Sequence, residues 1–234
     1  MTLAQTIPLR PSISKAPVQR LEMGDEMDQP TFHHRYLAMP ESFRAELVGG
    51  VVYVPSPLKA DHGDRHGDVM AWLKVYGLNT PGTRALDNAT HILGPDSELQ
   101  PDASLLRFAG NARENEDGYI QGTPEFVVEV ALASESYDLH RKRADYERHG
   151  VGEYLVLLLR EQRAVWFARI EPGVPFTEMP AGPDGIHRSI IYPGLWLDAL
   201  ALLRGDLKRV IEILDAGLAS PEHAAFVAAL LKVV

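Results

Sequence analysis

The chain has 234 residues, 45% hydrophobic and 24% charged, with a formal net charge of −9 and no cysteine. That hydrophobic share suits one large globular domain with a sizeable core, and the acidic balance argues against a generic nucleic-acid coat, while leaving a local basic patch open. The missing cysteine excludes disulfides, thiolate zinc sites and a cysteine nucleophile, and fits a reducing cytosol.

No segment approaches the ~18 uninterrupted apolar residues of a membrane-spanning helix. The N-terminus shows no apolar h-region, so a signal peptide is not expected. Residues 1–30 hold Pro8, Pro11, Pro17 and Pro30 with little apolar periodicity, which reads as a mobile arm or one lying on the surface. The folded core is expected over residues 31–198, and a helical extension, packed on that core or on a partner subunit, over residues 199–234. Phe32 and Tyr36 can pack near the start of the core, whereas His33 and His34 read as solvated.

Phe43 to Val54 is a hairpin signal, two β-rich runs joined by Gly49-Gly50, residues that permit a primed two-residue turn. Glu46 lies in its first strand; by itself it reads as an edge-strand charge facing solvent. Asp61 can cap a helix through about Tyr76, with His62 and His66 one turn apart. The residues between them are Gly-Asp-Arg, without the glutamate of a zinc protease, so a hydrolytic zinc site is not expected there. His62 is expected to hydrogen-bond near the sheet instead.

Gly82 to Leu93 reads as one or two short strands, and Gln100 to Leu106 as a further strand entered by Pro101. A Pro-Asp pair such as Pro101-Asp102 is usually a turn. Gly110 to Gly122 reads as a loop. Glu125 to Leu132 alternate, with Glu125, Val127, Glu129 and Ala131 on one face and Phe126, Val128, Val130 and Leu132 on the other. A carboxylate such as Glu129 in so apolar a run is expensive to bury unless it is paired or binds a cation.

Asp138 to His149 follow as a helix, stopped by Gly150 as a left-handed C-cap. Glu153 to Leu159 is a near-continuous apolar strand of the kind buried on both faces. Arg163 to Ile170 and His187 to Tyr192 read as later strands. Gly205 to Ala216 is an amphipathic helix, and Ser220-Pro221 opens a last one with a serine cap and a proline at its first position. Together these elements predict an α/β fold, a mixed sheet of at least four core strands flanked by helices, with extra antiparallel strands.

Asp102 and Glu129, on neighbouring strands, can hold a hard divalent cation. A nearby lysine such as Lys142 adds a fixed charge where negative charge develops on a phosphoryl group. Glu46 is a further acid within reach.

The stretches FRAELVGGVVYVPSPLKADHG, LQPDASLL, PEFVVEVALASESYDLHRKRADYERHGVGEYLVLL and YPGLWLDALALLRGD resemble the Uma2 family of restriction-endonuclease-like proteins, within the PD-(D/E)XK nuclease superfamily. The resemblance runs from about Arg44 to Asp206. It implies a restriction-endonuclease-like fold and a magnesium- or manganese-dependent endonuclease acting on DNA. Asp102 and Glu129 would be metal ligands, and Asp102, Glu129, Lys142 and Glu46 the catalytic set, with His62, Asp138 and Tyr146 supporting. It also implies pairing of two copies, while the missing cysteine and the lack of a long apolar run are the grounds for expecting a cytoplasmic protein with no membrane partner. The chain departs from the E-x-K pattern, since Ala131 stands where the strand lysine belongs; Lys142 is the natural substitute. The same lysine could instead be a solvated helix residue paired with Asp138. A nuclease-fold binding protein without activity, and a hydrolase of a smaller phosphate ester, are the competing expectations.

Overall fold

Gly49 and Gly50 both take positive φ, 59° and 80°, the left-handed conformation that a primed hairpin turn needs and that glycine adopts without a Cβ clash. They fix the register of the strands on either side, pairing Glu46 with Tyr53 and Leu47 with Val52. The computed structural model describes residues 18–57, 59–171 and 173–232. In chain order, α1 (Gln29–Tyr36) precedes the hairpin β1 (Glu46–Val48) and β2 (Val51–Tyr53), and then α2 (Ala60–Asn79). Next come β3 (Thr83–Asp87), β4 (His91–Gly94), β5 (Ser97–Leu99), β6 (Ala103–Arg107), β7 (Arg113–Glu114), β8 (Ile120–Gln121) and β9 (Phe126–Ala131). α3 (Glu135–Tyr137), a π-helical turn (Asp138–Lys142) and α4 (Arg143–His149) form one continuous helix, ended by Gly150 and followed by β10 (Glu153–Leu158) and β11 (Arg163–Ala168). Short strands β12 (Thr177–Glu178), β13 (His187–Arg188) and β14 (Trp196–Leu197) lead to α5 (Ala199–Arg204), α6 (Leu207–Leu218) and α7 (Pro221–Leu230).

The main sheet has six strands in the order β12-β11-β10-β9-β6-β3. β9 and β10 are its parallel pair, and such a pair requires a crossover, supplied here by the α3–α4 helix. Every residue of β9 and β10 is buried, as expected of parallel strands covered on both faces. The alternation of β9 divides its side chains between two cores. Phe126, Val128 and Val130 join Trp72, Leu73 and Tyr76 of α2 and Leu202, Val210 and Leu214 of α5 and α6. Val127 and Ala131 face Tyr146 of α4, Tyr154 and the second sheet through Val48 and Leu99. That second sheet, in the order β2-β1-β5-β4-β8-β7, closes over the same face and brings β1 to the site described below.

Several expectations need correction. Residues 18–30 are not a mobile arm. Leu21 is buried, and backbone N–H groups of Gly24 and Met27 donate to Val52 and Gly50, while Val52 N–H donates to Asp25. Asp28 caps α1 by accepting from the Thr31 N–H. Residues 1–17 lie outside the described residues. His33 is not solvated, because its Nδ1 sits 2.9 Å from Oε1 of Glu98. Asp61 does not cap α2, which begins one residue before it and extends past Tyr76 to Asn79. The stretch 110–122 holds the small β7–β8 hairpin. The strand expected over 187–192 shrinks to two residues paired with β14. Gly205, expected to begin a helix, instead ends α5 with φ 78°, and Asp206 caps α6 by accepting from Arg209 N–H.

Candidate functional site

The π-helical turn occupies Asp138–Lys142. Such a turn inserts an extra residue into the helix, a feature frequent at functional sites. Here Asp138, Lys142 and Tyr146 all turn inward and are buried. The helix lies over the face of β9 that carries Glu129 and Ala131, so the small Ala131 leaves space above the strand. Lys142 fills it. Its Nζ sits 3.0 Å from Oε1 of Glu129 and 2.9 Å from Oε2 of Glu46, with Oδ1 of Asp138 at 3.9 Å. Lys142 is only 6% exposed and Glu129 4%, which removes the solvated reading of this lysine. Burial works against the ammonium, but Glu129, then Glu46 and Asp138, more than offset it and hold its pKa well above the usual lysine value.

Glu129 is itself pushed well up by burial; Lys142 pulls it down, while Asp102, Asp138 and Glu46 push further. The Tyr146 hydroxyl donates to its Oε1 at 3.0 Å. Asp138 rises to about 6 through burial, partly countered by Lys142 and by the Ser134 hydroxyl, which donates to Oδ2 at 2.5 Å. Glu46 is not an edge charge. β1 pairs on one side with β2 and on the other with β5, and Oε1 of Glu46 accepts from the Gln100 N–H at 2.8 Å.

Asp102 enters β6 beside β9. Its Oδ2 accepts from the Val130 N–H at 2.7 Å and lies 3.3 Å from Nε2 of His62. Burial would raise this carboxyl, yet the hydrogen bond and charge of His62 and the Val130 N–H bring it below the ordinary aspartate value. Burial opposes the His62 proton in turn, but Asp102 outweighs it and raises the imidazole. The first turn of α2 thus supplies an imidazole to a sheet carboxylate. His66, one turn on, binds the backbone carbonyl of Asp102 at 2.9 Å and takes no place in the carboxylate cluster.

Glu46, His62, Asp102, Glu129, Ser134, Asp138 and Lys142 border one cavity of ≈670 Å³. Its floor includes Glu46, Asp102, Glu129, Asp138 and Lys142, while Phe43, Tyr53, Val54, Pro55 and Pro57 contribute an apolar wall. Among the described residues, Oδ1 of Asp102 and Oε2 of Glu129 receive no hydrogen bond. No three histidine, aspartate or glutamate side chains among those residues are grouped to hold an ion by themselves. Sequence reasoning passed over Tyr53, Tyr137 and Ser134. A signal for Tyr53 existed, because a two-residue turn at Gly49-Gly50 sets Tyr53 directly across from Glu46, and opposed residues share a face.

The sequence model of the Uma2 family, described as "Putative restriction endonuclease", matches residues 30–201. No curated protein matches the chain. Among solved structures, the chain is similar to "a putative nuclease belonging to DUF820" from Anabaena variabilis. The TM-score is 0.54 and the identity 16%, over 73% of this chain and 97% of that one. At that identity the likeness speaks for the fold, a mixed sheet flanked by helices as in nucleases.

Proposed function

The chain belongs to the Uma2 family of restriction-endonuclease-like proteins, and from that premise we propose that its cavity hydrolyses DNA phosphodiester bonds with magnesium or manganese. The observation that carries the reading is the meeting of Asp102, Glu129 and Lys142 at the floor of one cavity.

The donor set fits a hard divalent ion. Four carboxylates, Glu46, Asp102, Glu129 and Asp138, face one ammonium and one imidazole. Glu129 is pushed up first by burial, with the charges of Asp102, Asp138 and Glu46 adding to it against the pull of Lys142, and a cation beside it would relieve both effects. Magnesium is commonly held by one or two carboxylates with water in its remaining positions, so Asp102 and Glu129 suffice as the protein's share. A divalent ion held there would lower the pKa of water and stabilise charge on a phosphoryl oxygen.

The chain's own groups prepare the rest. Val130 N–H and His62 hold Asp102 by Oδ2; Tyr146 and Lys142 hold Glu129 by Oε1. In each case the opposite oxygen is left for a ligand. Lys142 places a fixed positive charge near the phosphoryl oxygens, where preorganised charge stabilises the transition state without rearrangement. Glu46 positions that ammonium, and the Gln100 N–H positions Glu46.

The test is incubation of plasmid and of single-stranded circular DNA with magnesium or manganese, beside chelated controls and Glu129→Gln protein. Divalent-dependent cleavage that disappears in Glu129→Gln is the expected result. No cleavage with any divalent ion overturns the hydrolytic reading and leaves a nuclease-fold binding protein; turnover of small phosphate esters alone moves the substrate to that class.

A further inference from the structure

We infer that the cavity takes its nucleic-acid strand unpaired, with one base stacked against Tyr53 while the adjoining phosphate descends to Asp102 and Glu129. The hydrolytic reading above supplies the identity of the ligand; three observations supply its form.

The first is depth. Glu129 and Lys142 are 4% and 6% exposed, so a phosphate reaching them must enter the cavity rather than brush its rim. Duplex DNA carries its phosphates on a rod stiff over about 150 base pairs, and such a rod does not follow a concavity of ≈670 Å³ to its floor. An unpaired nucleotide bends freely, and cavities of about 300–1,000 Å³ enclose small ligands.

The second is the chemistry of the wall. Tyr53 stacks on Tyr137 with ring centroids 3.8 Å apart and planes 14° from parallel. The ring of Tyr53 is therefore backed and held in one orientation. Burial raises both hydroxyls above the usual tyrosine value, so the rings remain neutral. Phe43, Val54, Pro55 and Pro57 continue the same surface. A wall built to grip backbone phosphates would be cationic; an apolar one with a fixed aromatic ring suits a base, because every base has a π-face to stack.

The third is the shortage of cations among the described residues. Besides His62, the basic ones of these that line the cavity are Arg44 and Lys142. Lys142 is engaged by Glu46 and Glu129, and Nη1 of Arg44 donates to the carbonyls of Glu41 and Phe43. Duplex affinity comes chiefly from neutralising phosphates. With few cations among the described residues to do so, stacking supplies the hold on the strand. Tyr53 is thus a specificity residue of the site, selecting unpaired nucleotides without selecting sequence.

Fluorescence anisotropy tests this, using a short labelled oligonucleotide as a single strand, as a perfect duplex and as a duplex with a central mismatched bubble. Calcium replaces magnesium so that binding is read without cleavage. The single strand and the bubble are expected to bind at least about tenfold tighter than the duplex. Tyr53→Ala is expected to weaken single-strand binding about tenfold, the scale of one base–aromatic stack, while Tyr53→Phe retains it. Tyr53→Leu keeps apolar bulk in the wall but has no ring to stack; it replaces Tyr53→Ala should that variant fold poorly, and is expected to weaken single-strand binding to the same extent. Equal affinity for duplex and single strand overturns the inference, as does unchanged single-strand affinity in either variant that folds as the parent does. Single-strand binding through Tyr53 in a protein that hydrolyses nothing supports the inference and overturns only the hydrolytic reading.

Discussion

Nζ of Lys142 lies 3.0 Å from Oε1 of Glu129, although the two residues belong to a helix and a strand and stand 13 positions apart. The contact brings a buried ammonium to the strand face where the E-x-K pattern places a lysine and this chain has Ala131. Because Glu46 holds the same ammonium from a second sheet, two sheets and a helix meet on one charge.

If that charge acts on the phosphoryl group, Lys142→Ala lowers the single-turnover cleavage rate ~10²–10³-fold, the usual loss for one preorganised donor. Arg141→Ala, on an exposed position of the same turn, changes the rate little. Removing Lys142 also leaves buried Glu46 and Glu129 without their partner, a class of change that costs ~3–5 kcal/mol. The rates are therefore compared well below the melting temperature of the variant, and a Lys142→Ala protein that cuts at the parent rate refutes the role.

Metal affinity separates the two strand carboxylates from other acids nearby. Isothermal titration with manganese is expected to show lost or strongly weakened binding in Asp102→Asn and in Glu129→Gln. Asp87→Ala, which removes a half-exposed carboxylate paired with His66, binds as the parent does. Unchanged affinity in the first two variants rejects the ligand assignment.

His91 sets an acid limit on the fold. It is fully buried, and burial lowers its pKa from 6.5 to about 3; Nε2 meets the Ser104 hydroxyl at 3.0 Å. Below pH 6.5 the unfolded chain takes up a proton that the folded chain refuses, so stability falls with pH until the folded pKa is reached. Thermal melts at pH 7 and pH 4 should therefore show a smaller drop for His91→Gln than for the parent. An equal drop in both proteins places the acid sensitivity elsewhere.

The segment before α1 holds the hairpin in place. A chain begun at residue 29 loses buried Leu21, three backbone hydrogen bonds to the hairpin and the Asp28 cap of α1, whereas one begun at residue 18 keeps them. Burying one leucine is worth ~1.5–3 kcal/mol. With about 2–4 °C of melting temperature per kcal/mol in a domain of this size, the shorter chain should melt at least roughly 5 °C lower. Coincident melting curves contradict the docking of residues 18–28.

The sequence by itself determined the local pieces. Alternation from Glu125 to Leu132 marked a strand, the apolar run from Glu153 to Leu159 marked one buried on both faces, Gly150 marked the helix stop, and Gly49-Gly50 marked a hairpin turn. These signals are legible because side-chain period and left-handed φ act over a few residues. The family resemblance, carried by the order of whole motifs, pointed to the same acids and to Lys142. Only the tertiary structure decided that Lys142 is buried rather than solvated, that Glu46 is interior rather than on an edge, and that residues 18–30 pack against the hairpin. Each depends on partners far away in the chain: Lys142 on Glu46, 96 residues earlier, and Glu46 on β5 and the Gln100 N–H. A helix pattern states which residues share a face, but burial and charge pairing follow from what the rest of the fold lays against that face.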